Sequence, residues 1–196
     1  MLAENRSALK EWGAVERALA EGRTTLLVRK GGIHERRRDF QVEHREFWLF
    51  PTLYHQNAHE LRPEFRPALQ AAEAAPRDVN RVRIAHYAVV EEALRVESLD
   101  ALHRLEGLHP LTPETVESRF AYRGKPYLHV LLLRAFRLPE PHDIPNTLDY
   151  EGCVSWVELD DALPTAGAQP VLLDGEFAAR RAEVLARLGE EGVVRL

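Results

Sequence analysis

Cysteine is nearly absent from this chain, since Cys153 is the only one among 196 residues. A single cysteine excludes an intramolecular disulfide, and it also excludes the cysteine-rich sites that hold zinc or iron–sulfur clusters. Secreted domains more often carry paired cysteines, so this composition favours a cytoplasmic protein. Cys153 lies in an apolar pattern, GCVSWVEL, and we expect it to be a small core residue rather than a nucleophile.

Long apolar runs are also missing. No stretch of about 18 apolar residues occurs, which predicts that no segment spans a membrane. The first residues, MLAENRSALKEW, lack the basic-then-apolar order of a secretion signal. We therefore expect a cytoplasmic protein with no membrane partner.

The common catalytic and cofactor motifs are absent as well. Ser155 has no flanking glycines of the kind that form a hydrolase nucleophile elbow, and no phosphate-loop or dinucleotide glycine pattern appears. A restriction-type nuclease needs an acid–x–Lys sequence, but none precedes Lys10, Lys30 or Lys125. These absences predict no cofactor and favour a non-catalytic protein.

The chain does contain an unusual distribution of charge. Its net charge is −5, yet residues 23–47 hold seven Lys or Arg side chains against four acids. A local basic patch on an acidic body can steer one anionic ligand towards a site. The alternative is a solvated loop whose charges pair with one another.

The basic and aromatic side chains cluster between residues 26 and 56. Arg29 and Lys30 end a predicted strand, and three arginines follow at positions 36–38. Guanidinium groups bind phosphate oxygens bidentately, and nearby aromatic rings can stack on bases. The predicted nucleic-acid-binding residues are Arg29, Lys30, Arg36, Arg37, Arg38, His44, Arg45, Trp48, Tyr54, His55 and Gln56. Within this set Arg29, Lys30 and the arginines at positions 36–38 contact phosphates. Trp48 or Tyr54 stacks, and His44 or His55 contacts a base edge.

A metal site is the alternative interpretation of the same region. Its candidate ligands are His34, Glu43, His44, His55 and His59. His55 and His59 are four residues apart, which would place them on one face of a helix. However, the residues between them include no general-base glutamate of the metalloprotease kind. Hydrogen-bonded structural histidines are the competing explanation.

Local patterns predict the elements of the fold. A helix starts near Ser7, places Leu9, Trp12, Val15 and Leu19 on one face and ends at Gly22. Strands are predicted at residues 24–28, 47–50, 81–90 with a possible extension to 96, 127–138 and 153–159. Shorter helices follow Pro67, Ser98 and Thr112, and a C-terminal helix covers about residues 174–188. Residues 139–146, which contain three prolines, are predicted to be an extended connector.

This order of elements lacks the regular strand–helix alternation of a doubly wound fold. It predicts an α+β fold with a mixed, strongly curled sheet or a small β-barrel, flanked by short helices. We expect a single domain over residues 1–196, with its core at residues 9–159.

Four segments resemble a known bacterial family, the domains of unknown function 1802. They are LKEWGAVERAL, the stretch LLVRKGGIHERRRDFQVEHREFWLFPTLYHQ, LLLRAFRLPEP and GCVSWVEL. Some relatives occur together with a restriction-endonuclease-like domain, so the resemblance implies a role in restriction or defence and a restriction-system partner protein. The order of the strands is also similar to that of PUA-like barrels, a superfamily that includes modules that hold modified bases.

We therefore expect a non-catalytic nucleic-acid-binding module, for DNA or RNA, that reads a modified base in a restriction context. A metal-assisted, nuclease-like hydrolase that uses the His/Glu cluster is the first alternative. A scaffold whose basic loop binds an acidic partner protein is the second.

Overall fold

The computed structural model describes residues 1–30, 42–53, 56–76, 78–152 and 154–196. The strands in these ranges are β1 (Glu4–Trp12), β2 (Leu26–Arg29), β3 (Glu46–Thr52), β4 (Arg81–Val96), β5 (Leu128–Pro145), β6 (Trp156–Pro164), β7 (Gln169–Pro170) and β8 (Val193–Arg195). The helices are α1 (Gly13–Ala20), α2 (Arg66–Ala74), α3 (Leu99–Arg104), α4 (Pro113–Ala121) and α5 (Asp174–Leu188). None of these helices is long and apolar enough to cross a lipid bilayer.

The strands form one mixed sheet in the order β2-β5-β4-β3-β1-β6, with β7 added to β5 and β8 added to β4. β1 and β3 run parallel, and the other pairs are antiparallel. β4 and β5 are the longest strands, and their ladder shifts register twice. The α+β class with a mixed sheet is therefore as expected. Among the described residues, β2 and β6 are the two ends of this strand order and do not pair with each other. A closed barrel or strongly curled sheet is therefore not confirmed.

Both faces of the sheet are covered by apolar side chains. Leu131 and Leu133 of β5 pack in one cluster with residues of β1, β2, β3 and α1. The alternate residues Val130 and Leu132 pack in another cluster with residues of α2, α3, α4 and α5. Since neighbouring side chains on a strand point to opposite faces, β5 is buried on both sides. This confirms the prediction made from its continuous apolar run.

The N-terminal prediction was wrong in its first half. Residues from Ser7 were expected to begin a helix, but β1 occupies Glu4–Trp12 and α1 begins only at Gly13. Ala8 and Leu9 are both fully buried, because β1 lies between β3 and β6 with its two faces in different clusters. Tertiary burial here outweighs the helical preference of the local sequence. The predicted helix end is confirmed, since Gly22 has a φ of +67°.

The proline-rich segment after residue 138 is extended, as predicted, but it is also paired. β5 continues to Pro145, and residues from His142 onward pair with the start of β4. Pro139 and Pro141 fall in the register shift between the two paired stretches. Proline is tolerated there because a bulge does not require its missing N–H group.

Candidate nucleic-acid interface

Arg29, the last residue of β2, contacts β1 and the residue before β6, which lie at the opposite end of the strand order. Arg29 Nη1 donates to Glu11 Oε2 at 2.5 Å and to the Lys10 carbonyl at 3.0 Å. Its Nη2 donates to Ser155 Oγ at 3.0 Å. The side chains of Arg29 and Glu11 are 17% and 11% exposed. A guanidinium with this many fixed acceptors is held in one orientation at the point where residues 31–41 begin.

Glu11 is itself fixed by the backbone. Its Oε1 accepts a hydrogen bond from the Trp12 amide at 2.8 Å, so both carboxylate oxygens are occupied. Both hydrogen bonds are strengthened because the acceptor is a charged carboxylate, so Glu11 holds Arg29 in place. The ion pair joins the end of β2 to the end of β1.

A second ion pair lies beside the first. Arg119, on α4, places Nη2 at 3.2 Å from Glu60 Oε2, and its Cζ lies 4.8 Å from the centre of the Trp12 ring. Burial lowers the pKa of Arg119, while the Glu60 and Glu11 carboxylates act in the opposite direction. Arg29 also lowers the pKa of Arg119. The two arginines and two glutamates therefore form one electrostatic cluster, which we call the Arg29 cluster (Glu11, Arg29, Glu60 and Arg119).

Lys30 is bound to the main chain at the far end of α4. Its Nζ donates to the carbonyls of Tyr127 at 2.8 Å, Phe120 at 3.3 Å and Lys125. It also lies 4.4 Å from the centre of the Tyr127 ring. These contacts hold Lys30 in a structural position next to Arg29. Its predicted contact with a phosphate remains a prediction.

His44 and Arg45 precede β3 and contact other parts of the fold. His44 Nδ1 lies 3.2 Å from Ser7 Oγ, and its ring meets Trp156 edge-on at 5.1 Å. Arg45 is exposed, and its Nη2 donates to the Leu196 carbonyl at 2.8 Å. Neither residue makes a described contact with the Arg29 cluster.

The prediction that Trp48 stacks on a base is wrong. Its side chain is fully buried, and its Nε1 donates to the Asn5 carbonyl at 2.9 Å. Tyr87 and His142 meet its ring edge-on at 4.7 and 5.4 Å. Trp48 does lie on the strand face opposite Phe47, as expected, but that face is a second part of the core. No ring face is left for a base.

Gln56 has a local structural role that the sequence did not reveal. Its Oε1 accepts from the Ala14 amide at 3.1 Å, and its Nε2 donates to the Thr52 carbonyl at 2.7 Å. Ala14 lies in the first turn of α1, where amides have no partner within the helix. Gln56 therefore caps α1 from the chain that follows β3.

Five of the predicted interface residues lie outside the described residues. They are Arg36, Arg37, Arg38, Tyr54 and His55. Of the alternative metal ligands, His34 and His55 also lie outside them, whereas Glu43 and His59 are exposed. Within the described ranges, no three His, Cys, Asp or Glu side chains are placed to hold a metal ion.

Sequence reasoning missed the partners that fix Arg29 and the second arginine of the Arg29 cluster. Glu11 was placed in a helix, Ser155 was considered only as a nucleophile, and Arg119 was not singled out. Glu11 and Ser155 lie 18 and 126 positions from Arg29 in the sequence. No local pattern signals contacts over these distances, since they depend on how β1, β2 and β6 are arranged.

A family model, Domain of unknown function (DUF1802), matches residues 8–183. The chain belongs to this family. The match runs from β1 into α5 and so includes every residue of the Arg29 cluster. It agrees with the resemblance seen in the four sequence segments. No curated protein matches the chain.

The DUF1802 chain is also similar to crystal structures of an ASCH protein from Zymomonas mobilis. One is 17% identical, with 78% of this chain and 86% of that chain covered and a TM-score of 0.44. A serine-to-alanine variant is 14% identical, with coverage of 92% and 98% and a TM-score of 0.44. A tyrosine-to-phenylalanine variant is 14% identical, with coverage of 90% and 95% and a TM-score of 0.43. These TM-scores are too low to support an inference about this chain.

Proposed function

We propose that this DUF1802 chain is a single-domain, non-catalytic module that binds nucleic acid through the region around Arg29. The observation that carries the proposal is the fixed orientation of Arg29 by Glu11 and Ser155. This oriented guanidinium is followed directly by Lys30 and then by Arg36, Arg37 and Arg38. Arginine forks in fixed positions match phosphate oxygens bidentately.

Charge supports a specific rather than a general affinity for nucleic acid. The chain as a whole carries a net charge of −5, which does not favour a general attraction of phosphates. A ligand is attracted only where basic side chains outnumber acids, as they do between residues 23 and 47. Binding of this kind weakens steeply as salt is added, because each phosphate contact releases counterions.

Base reading is the finer part of the proposal. His44, at the edge of Trp156, together with Tyr54 and His55, supplies the hydrogen-bonding and stacking groups for a base or a modified base. Single-stranded bases are recognised by such aromatic and polar groups. The sequence resemblance supports a restriction or defence context and a partner protein from that system, and the single cysteine supports a cytoplasmic location.

Titration of labelled DNA and RNA at several salt concentrations tests the proposal. A charge reversal of Arg36, Arg37 and Arg38 to Glu should abolish binding at low salt. A triple reversal of Arg83, Arg180 and Arg195, which are exposed arginines on β4, α5 and β8, makes the same change in net charge; it is the matched control and should change affinity little. Binding that survives the reversal at positions 36–38 would overturn the assignment of the arginines there.

The same preparation distinguishes the two alternatives. A hydrolase would retain stoichiometric zinc or manganese after purification without an affinity tag, and it would cleave the labelled strand. A protein scaffold would bind an acidic partner without competition from nucleic acid. Retained metal together with cleavage of the strand, or binding of an acidic protein without binding of nucleic acid at low salt, would replace the proposed function.

A further inference from the structure

Tyr122 places an aromatic ring on the surface directly after α4. It is 44% exposed, and it lies within residues 121–126, all of which are exposed. Within the described ranges every other Phe, Trp and Tyr is buried or half-buried. A single exposed ring is not by itself a site. The backbone and the charge around Tyr122 add the observations that point to a ligand.

The backbone beside Tyr122 is strained. Arg123 has a φ of +57° and a ψ of +23°, and in the part of the chain that the structure describes it is the one residue other than glycine with a positive φ. A side chain is disfavoured in this conformation, which glycine adopts freely. Strain of this kind clusters at functional sites. Here the Arg123 Cζ lies 5.1 Å from the centre of the Tyr122 ring, so the guanidinium is attracted to one face of the ring and orients it.

The turn that carries Tyr122 is fixed beside the proposed nucleic-acid site. Lys30 Nζ donates to the Phe120 carbonyl at 3.3 Å, before the turn, and to the Tyr127 carbonyl at 2.8 Å, after it. Lys30 directly follows Arg29, whose guanidinium is held in one orientation. The exposed ring is therefore supported by the same short segment that presents Arg29.

The turn is also basic. Residues 118–127, SRFAYRGKPY, hold three Lys or Arg side chains and no acid. An anionic ligand that is attracted to residues 23–47 is therefore attracted to this turn as well. Basic side chains interleaved with an exposed ring are typical of proteins that bind single strands, in which the ring stacks on a base and the cations attract phosphates.

We propose that Tyr122 is a stacking platform for an unpaired base of a single-stranded ligand, and that Arg123 is the residue that positions its ring. This inference rests on the proposed function, and it names a base contact outside residues 26–56. The guanidinium covers one face of the ring, and the base stacks on the other. In a duplex the faces of each base are covered by its neighbours, whereas a single strand can turn one base out onto the ring.

Replacement of the ring tests the platform with a short labelled single strand at low salt. Tyr122→Leu should weaken binding about tenfold, which lies within the usual range for the loss of one base–aromatic stack. The slope of log affinity against log salt should not change, because stacking releases no counterions. Tyr122→Phe retains the ring and should bind within about twofold of wild type. Affinity for the same strand annealed to its complement should not change in either variant.

A strand without bases separates stacking from a general change in the protein. Wild-type protein should bind an abasic strand of the same length more weakly than the intact strand. In Tyr122→Leu this loss should be about tenfold smaller, because the stack that the bases would form is already absent. Thermal unfolding should show that each variant folds.

Val79→Ala is the matched control, since it also removes exposed apolar surface. Val79 is 81% exposed and precedes β4, whose start pairs with the end of β5, whereas Tyr122 precedes the start of β5. The two residues therefore lie at opposite ends of this strand pair. Val79→Ala should leave the affinity for both the intact and the abasic strand unchanged.

Arg123→Gly removes the cation and the strained conformation together. It should weaken single-strand binding about threefold, the usual size of an exposed contact between a cation and a ring. Thermal unfolding should show no loss of stability, because glycine adopts this conformation without strain. Unchanged affinity in this variant would overturn the positioning role of Arg123.

The outcomes for the platform and for the proposed function are distinct. Equal affinity of wild type and Tyr122→Leu for the intact strand would overturn the platform, as would an equal loss in both proteins when the bases are removed. In either case the proposed function would stand. No binding of the intact single strand by wild-type protein at low salt would overturn the proposed function itself.

Discussion

Arg29 Nη1 lies 2.5 Å from Glu11 Oε2, and this ion pair connects β2 with β1 although the two strands are not neighbours in the sheet. Both side chains are largely buried, and both have further hydrogen-bond partners. The interaction therefore stabilises the fold and orients a guanidinium at the same time. Variants at Glu11 can separate these two effects.

Glu11→Gln should destabilise the protein by about 1–3 kcal/mol, because Arg29 would keep its charge in a largely buried site without a counterion. Urea unfolding measures this difference. Glu158→Gln is the matched control, since Glu158 is 78% exposed and lies 3.8 Å from Arg6, and it should have an effect within about 0.5 kcal/mol. The proposed function further predicts that Glu11→Gln weakens binding of nucleic acid, because Arg29 loses a partner that fixes its orientation. A variant as stable as wild type would show that the pair contributes little.

Trp48→Phe should cost about 1–3 kcal/mol, since it removes the hydrogen bond to the Asn5 carbonyl and part of a packed ring. Affinity for nucleic acid should stay within about twofold of wild type, because a fully buried ring cannot stack on a base. Unfolding and binding are measured on the same preparation. A large loss of affinity with unchanged stability would return Trp48 to the interface.

Gln56→Ala should lower stability by about 1 kcal/mol, the usual value of a helix cap. Gln56→Glu retains an oxygen that accepts from the Ala14 amide but loses the Nε2 donor to the Thr52 carbonyl, so it should keep only part of the stability that Gln56→Ala loses. Denaturant unfolding of the two variants distinguishes the cap from simple packing. If both variants lost the same amount, the contact with Ala14 would not be the source of the stabilisation.

His109 should make stability depend on pH. It is 3% exposed, and burial lowers its pKa from 6.5 to about 4. Between these two values the unfolded chain binds a proton that the folded chain does not, so stability falls as the pH falls from 6.5 to 4. The full contribution of this residue is about 3 kcal/mol. His109→Gln should lose less stability than wild type between pH 7 and pH 4.5, and equal losses would exclude His109 as the source.

Sequence patterns predicted most of the elements in which the spacing of apolar residues matches the positions that are buried in the structure. The apolar run in β5 indicated burial on both faces, and Ser98 and Thr112 were expected to begin helices. In the structure their side chains accept hydrogen bonds from the Ala101 and Thr115 amides. β1 was missed because Leu9, Trp12, Val15 and Leu19 follow a helical spacing across the boundary between a strand and a helix.

The candidate site was predicted only in part. Local charge singled out Arg29, but its partners Glu11 and Ser155 come from distant parts of the chain. The parallel pairing of β1 with β3 brings Glu11 to its position, and local periodicity carries no information about that pairing. Trp48 was misread for a related reason: alternation placed it on the second face of β3 but could not show that this face is also covered.

The central claim is that this chain binds nucleic acid, and affinity as a function of salt tests it most directly. Fluorescence anisotropy of a labelled single strand with wild-type protein should show binding at about 50 mM salt that weakens steeply by about 200 mM, with a linear relation between log affinity and log salt. Absence of binding at the lower salt, or an affinity that does not change with salt, would contradict the claim.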